Sequence, residues 1–162
     1  MKYLSVIFLL IGLQGCYSFS GISIDPEVKT YYVHPFTDNT DNSLPNLAQN
    51  MGENLKEKIR TESRLIFSDY EPDLEFKGVI VSYKISSEAP RPGEITAINR
   101  LTIVTAIEYL DNKDEDKTWK RNFQFFYDFP SDTDFASVQD QAIETITKQI
   151  MEDVFNAAFT NW

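Results

Sequence analysis

Thr118–Phe129 reads TWKRNFQFFYDF. Trp119, Phe123, Phe125, Tyr127 and Phe129 fall on one side of this stretch, with Lys120, Asn122, Gln124 and Asp128 on the other. A period of two means a β-strand with one buried and one wet face. The preceding stretch repeats the pattern. Ile98–Leu110 puts Leu101, Ile103, Thr105, Ile107 and Tyr109 on one face, and Asp111–Asp116 (DNKDED) joins the two as a charged hairpin turn. Further upstream, Leu74–Ser87 reads as a third strand, with Val79, Val81, Tyr83 and Ile85 assigned to one face before Pro90, Pro92 and Gly93 break it. Alternation of this kind predicts an antiparallel sheet covered on one side only.

The covering elements are also visible. Leu47, Met51, Leu55 and Ile59 recur every four residues, which predicts an amphipathic helix over residues 44–62 with Ser43 or Asn42 as N-cap before Pro45. A second helix is expected over 134–160, with the stripe Phe135, Val138, Ala142, Ile146, Ile150 and Val154. Val28–Phe36 (VKTYYVHPF) reads as a β-branched and aromatic strand, Thr37–Ser43 as turn, and Arg64–Ser68 as a short extended piece. The order β-α-(short β)-β-β-β-α predicts an α+β two-layer sandwich. Two amphipathic helices then lie on one face of a four- or five-stranded, mixed, mainly antiparallel sheet.

The other sheet face is expected to carry Ile80, Ser82 and Lys84 beside Thr102, Val104, Ala106 and Glu108, and then Lys120, Asn122, Gln124 and Phe126. It is either a solvated face or a partner contact. The end of the last helix poses the same choice. Phe155, Phe159 and Trp162 lie off the main stripe and are either packed on the sheet or a candidate partner face.

The N-terminus is of a different kind. Lys2 precedes an apolar run from Tyr3 to Leu13, and Leu13-Gln14-Gly15-Cys16 then follows the lipobox pattern. The run is too short to span a bilayer, which takes about 20 residues. It has the layout of an export signal, so residues 1–15 are set aside as signal peptide. Cys16 is the only cysteine and is the candidate lipidation site, with cleavage in front of it. Acyl chains on its thiol and on the new amine would anchor the protein firmly. Residues 16–27 are expected to form a lipidated tether and 28–162 a single α+β domain. Lys2 is one of 15 basic residues, so its removal leaves 14 against 25 acidic, a net charge of −11. Such acidity argues against nucleic acid as partner and against broad adhesion to anionic lipid.

No assembled catalytic machinery is visible. His34 is the sole histidine, in an aromatic strand before Pro35. The stretch Asp38–Asn42 lacks the glycine and the terminal glutamate that a calcium loop needs. Asp69, Glu71 and Asp73 sit in a proline-containing acidic turn and read as a solvated cluster. No nucleophile-elbow or phosphate-loop pattern occurs. The chain is expected not to be an enzyme, and to need no metal or cofactor beyond the covalent lipid.

Cys16-Tyr17-Ser18-Phe19-Ser20-Gly21, then Asn99-Arg100-Leu101-Thr102-Ile103 opening a strand, then Phe155 and the Asn161-Trp162 ending, together resemble the LptE family of lipopolysaccharide-assembly lipoproteins, in a divergent, non-enteric branch. The resemblance implies an outer-membrane lipoprotein on the periplasmic leaflet. Its implied partner is the large LptD-type β-barrel translocon, which it plugs and helps assemble, and it implies possible contact with LPS through basic residues. Arg91, in the loop between the first two long strands, is the positional candidate for LPS or barrel contact, flanked by Lys84 and Arg100. Tyr17 stands where an aspartate would signal inner-membrane retention in enteric bacteria. The alternative is a stand-alone envelope scaffolding or ligand-binding lipoprotein.

Overall fold

The computed structural model describes residues 22–89 and 97–160. Segment 1–15, Cys16, Arg91 and Trp162 lie outside the described residues. The elements are β1 (Thr30–Val33), β2 (Thr37–Asp38), α1 (Leu47–Glu62), β3 (Ile66–Phe67), β4 (Leu74–Glu88), β5 (Ile98–Asp111), a 3-10 turn (Glu115–Lys117), β6 (Trp119–Pro130) and α2 (Phe135–Phe159). One sheet runs β3-β1-β4-β5-β6, with β2 beside β4. The long strands β4, β5 and β6 form an antiparallel meander. β1 is parallel to both β3 and β4, and β2 is parallel to β4. Both helices cover the same face, so the domain is a two-layer α+β sandwich.

The sheet has six strands rather than four or five, because a two-residue strand, β2, forms at Thr37–Asp38 in the segment expected as turn. His34 N–H bonds to the Phe76 carbonyl at 2.9 Å, and Pro35 then has no N–H to offer. The chain steps inward at Phe36, which is buried, and pairing resumes where Thr37 meets Val79. The start of α1 also differs from expectation. Asn46, not Ser43 or Asn42, is the N-cap; it adopts a left-handed φ of 71° and makes no side-chain cap bond. Asn residues tolerate that conformation better than most. Ser43 instead donates its hydroxyl to Asp38, which also accepts from the backbone N–H and hydroxyl of Thr40 at 2.7 Å each. The loop 38–43 therefore satisfies its own carboxylate.

The core follows the period-two and period-3.6 patterns. Leu101, Ile103, Thr105 and Ile107 on β5 are fully buried. Leu101, Ile103 and Ile107 share one hydrophobic cluster with Met51, Leu55 and Ile59 of α1 and with Ile146, Ile150 and Val154 of α2. Phe123, Phe125 and Tyr127 of β6 pack against that cluster from the sheet margin. Each buried Ile or Leu contributes about 1.5–3 kcal/mol by leaving water.

Strand β4 corrects the expected facing. Its buried residues are Leu74, Phe76, Gly78 and Ile80, not Val79 and Val81. Register with β5 slips by one residue here: Ile80 pairs with Thr105 and Ser82 with Val104, leaving Val81 unpaired. This is a β-bulge, one extra residue that reverses which positions face the core. Beyond it, Tyr83 pairs with Ile103 and Ile85 with Leu101, so these two do face the core side as expected. Ile80 belongs to the core and leaves the outer face.

Candidate partner-contact surface

Sheet register builds the outer face row by row. Lys77, Glu108 and Lys120 are aligned across β4, β5 and β6; so are Lys84, Thr102 and Phe126; so are Ser86, Arg100 and Asp128. Arg100 lies flat in a fork with Asp128, Nε to Oδ1 at 2.6 Å and Nη2 to Oδ2 at 2.8 Å. Its guanidinium also stacks on Phe126, with Cζ 3.8 Å from the ring centroid. Bidentate pairing and ring stacking both suit the planar guanidinium. The Asp128 hydrogen bonds hold Arg100 even more firmly protonated than an ordinary arginine.

This geometry decides what the face can do. Two of the five N–H donors of Arg100 are spent on Asp128, and the pair is neutral as a unit. Lys84 is exposed and has no ion pair among the described residues. Lys77 and Lys120 on the same face are likewise exposed and without an ion pair among the described residues. Beside Lys84 lie exposed apolar surfaces, Val81 at 44 % and Phe126 at 43 %. An amphipathic platform of this kind, with a cation on an aromatic plane and a free ammonium next to it, fits a partner presenting both apolar and anionic groups.

The strand ends place these groups relative to the N-terminus. Ser23 donates its backbone N–H to the Phe159 carbonyl at 2.7 Å. Arg64 Nη2 donates to the carbonyls of Asp25 at 2.6 Å and Ile24 at 3.2 Å. Val28 is buried. The tether is thus strapped to the pole where β4 begins and β5 ends, around a cleft of about 190 Å³ that Leu74, Tyr109 and Asp111 also line. The β4–β5 connection that carries Arg91 leaves from the opposite pole, after Glu88. At about 3.3 Å per residue, the 15 residues of β4 set those poles about 50 Å apart.

The candidate face at the C-terminus resolves differently. Phe155 and Phe159 are both 2 % exposed. Their rings meet at 4.9 Å, and Phe159 packs on Phe76 at 6.0 Å. These two residues are core; Trp162 is outside the described residues. Sequence reading missed Asp128 as the partner of Arg100, although its place opposite Arg100 follows once the hairpin register is known. It also missed Arg64 as the tether clamp, for which no local pattern exists.

No group of three or more metal-ligating side chains occurs among the described residues. His34 Nε2 contacts Glu75 Oε2 at 2.6 Å, and Asn112 donates to Glu75 Oε1 at 2.9 Å. Asn112 and His34 together hold the Glu75 carboxyl below its ordinary range. This trio ties β1 to β4 and to the β5–β6 turn, a structural role. Asp73 is likewise a clamp, accepting the backbone N–H groups of Lys29 at 2.8 Å and Thr30 at 3.0 Å.

Comparison with known proteins adds the family. No match was found among curated protein sequences. Among solved structures, a protein of Xanthomonas campestris superposes with a TM-score of 0.55 at 11% identity, covering 83% of this chain and 88% of that one. A hypothetical protein of Chlamydia trachomatis gives 0.51 at 9% identity, covering 81% and 98%. At these identities the likeness is one of fold. No helix among the described residues is long and apolar enough to cross a membrane. The family described as lipopolysaccharide-assembly matches residues 28–158, from the first buried residue after the tether to the last turn of α2, and the chain therefore belongs to the LptE family.

Proposed function

We propose that this protein is the lipoprotein subunit of an outer-membrane LPS translocon. In this reading, acyl chains on Cys16 hold it at the periplasmic leaflet, and the folded domain plugs and helps assemble an LptD-type β-barrel. The observation that carries the reading is the family match over 28–158, which runs from before β1 into the last turn of α2. The shape supports it. A body about 50 Å long, tethered at one pole, is longer than the ~25 Å apolar band of an outer-membrane barrel. Anchored beside the strap, it reaches into the lumen with the Arg91 loop leading. Its outer face is charge-balanced rather than greasy, which suits a polar lumen. Lys84, with Arg91 at the loop, supplies charge-assisted donors for phosphorylated sugar.

Affinity purification through a C-terminal tag tests this. A large β-barrel recovered in equal amount with the tagged chain is the expected result. Lys84→Glu combined with Arg91→Glu is expected to lower barrel recovery, or to lower binding to purified LPS more strongly at low salt than at high salt. Recovery of the chain alone, with normal barrel assembly in cells lacking it, would point instead to a stand-alone envelope lipoprotein.

A further inference from the structure

The two helices leave a groove between them on the side away from the sheet. At its Leu44 end this open groove has a volume of about 410 Å³. Asn50, Glu53 and Asn54 of α1 form one wall, and Asp140 and Glu144 of α2 the other. Glu53 is 3.7 Å from Lys56, whereas Asp140 and Glu144 are exposed and have no ion pair among the described residues. The groove's apolar surface comes from Leu44 and Ile143, and Thr147 lines it between them. Thr147 is 3 % exposed, and its Oγ1 has no hydrogen-bond partner. An unpaired buried hydroxyl costs about 1–3 kcal/mol, so it marks a site that a further group can complete.

The charged groups of this lining are all acidic. Carboxylates only accept hydrogen bonds, while the Asn amides and the Thr147 hydroxyl can either accept or donate. The carboxylates are not gathered as metal ligands. Leu44 and Ile143 offer an apolar surface for a methylene stem, which is how lysine and arginine side chains bury themselves beneath a charged head. Farther along the groove the same complementarity is already used: Lys58 reaches across to Glu152 at 2.5 Å while bonding Glu62 at 2.7 Å. At the Leu44 end Asp140 and Glu144 have no such cation, and Glu53 has only the 3.7 Å contact with Lys56.

We infer that the α1–α2 groove docks a partner protein by taking one of its arginine or lysine side chains between Glu53, Asp140 and Glu144. The surface lies on the opposite layer from the sheet face discussed above, so this contact goes beyond the translocon reading and stands or falls separately. The acidic net charge of −10 would steer a cationic segment toward it.

The probe is an acetylated pentapeptide with arginine between two leucines, and its neutral citrulline counterpart. Both are titrated into the isotopically labelled mature chain with Cys16→Ala and followed by amide NMR. The arginine peptide should shift Asn50, Asn54 and Thr147, and the citrulline peptide should not. Asp140→Asn with Glu144→Gln should weaken binding about three- to tenfold, at the usual yield of exposed charge pairs. Glu115→Gln with Asp116→Asn, the same charge change on the remote hairpin turn, should leave it within about twofold. Thr147→Val, nearly equal in shape, should weaken the arginine peptide if the hydroxyl receives it. Equal shifts from citrulline, equal weakening by the hairpin variant, or shifts on the outer sheet face would each overturn the assignment.

Discussion

Gly78 of β4 and Phe36 press against one another so closely that a Cβ on Gly78 would lie 2.4 Å from ring atoms Cδ2 and Cε2 of Phe36. Phe36 is held on its other side by Gly52 of α1, where a Cβ would sit at 3.5 Å. The ring is a wedge between helix and sheet, placed there by the inward step at Pro35.

Gly78→Ala is expected to cost about 1–3 kcal/mol, the usual range for overpacking a core. Gly52→Ala, with ordinary contact distances, should cost far less. Urea unfolding of the two variants checks the order. Gly78→Ala combined with Phe36→Leu should recover part of the loss, since the smaller side chain yields the space.

Ile146 is fully buried and Lys148 exposed on the same helix. Ile146→Ala should cost about 2–5 kcal/mol and lower Tm clearly. Lys148→Ala should leave Tm nearly unchanged. Equal small effects in thermal unfolding would contradict the phase of α2.

Asp73 gives a pH prediction. Burial pushes its carboxyl up, but the Lys29 backbone N–H, the Lys113 ammonium and the Thr30 N–H outweigh that and bring it from 3.8 to about 2. Its side chain is 13% exposed. A carboxyl lowered in the folded state stabilises above its unfolded pKa and loses that contribution as pH falls through the folded one. Asp73→Asn should therefore cost about 2 kcal/mol at pH 7, shrinking toward nothing between about pH 4 and pH 2. Denaturant unfolding of both proteins across that window checks it.

Cys16→Ala should abolish acylation, because only the thiol can accept the diacylglycerol. Cells labelled with a clickable fatty acid should show the wild-type chain labelled, in the outer-membrane fraction, and the variant unlabelled. Unchanged labelling would end the lipobox reading.

Strands β5 and β6 and both helices were legible because their side chains alternate or recur without interruption. Trp119 to Phe129 could be placed on one face by counting alone. β4 was misread in its first half because Val79, Ile80 and Val81 are all apolar and β-branched, so nothing in composition marks which one is extra. The bulge is set by pairing with Thr105 and Val104, partners more than 20 residues away. β2 was hidden in turn-forming residues, since Thr37 and Asp38 pair only because β4 is there to receive them. At the candidate surface, Lys84 and Arg100 were found by position, but the neutralising Asp128 lies 28 residues on and appears only with the register. The helix groove draws its walls from both ends of the chain, and no local pattern announces it.

The unpaired Val81 makes the length of this sheet negotiable at one point. Ile80 and the residues before it keep their register with β5 on one side, and Ser82 and those after it on the other. Deleting Val81 would join the two halves into an unbroken alternation, with every core residue still facing the core. Deleting Ile103 from β5 would turn half a strand inside out. The single-residue deletion at Val81 is thus expected to fold, with a straighter sheet, and the one at Ile103 to abolish folding. Circular dichroism and solubility of the two chains would distinguish them. Sequence length in this domain can drift by one residue at the bulge without disturbing what is packed beneath it.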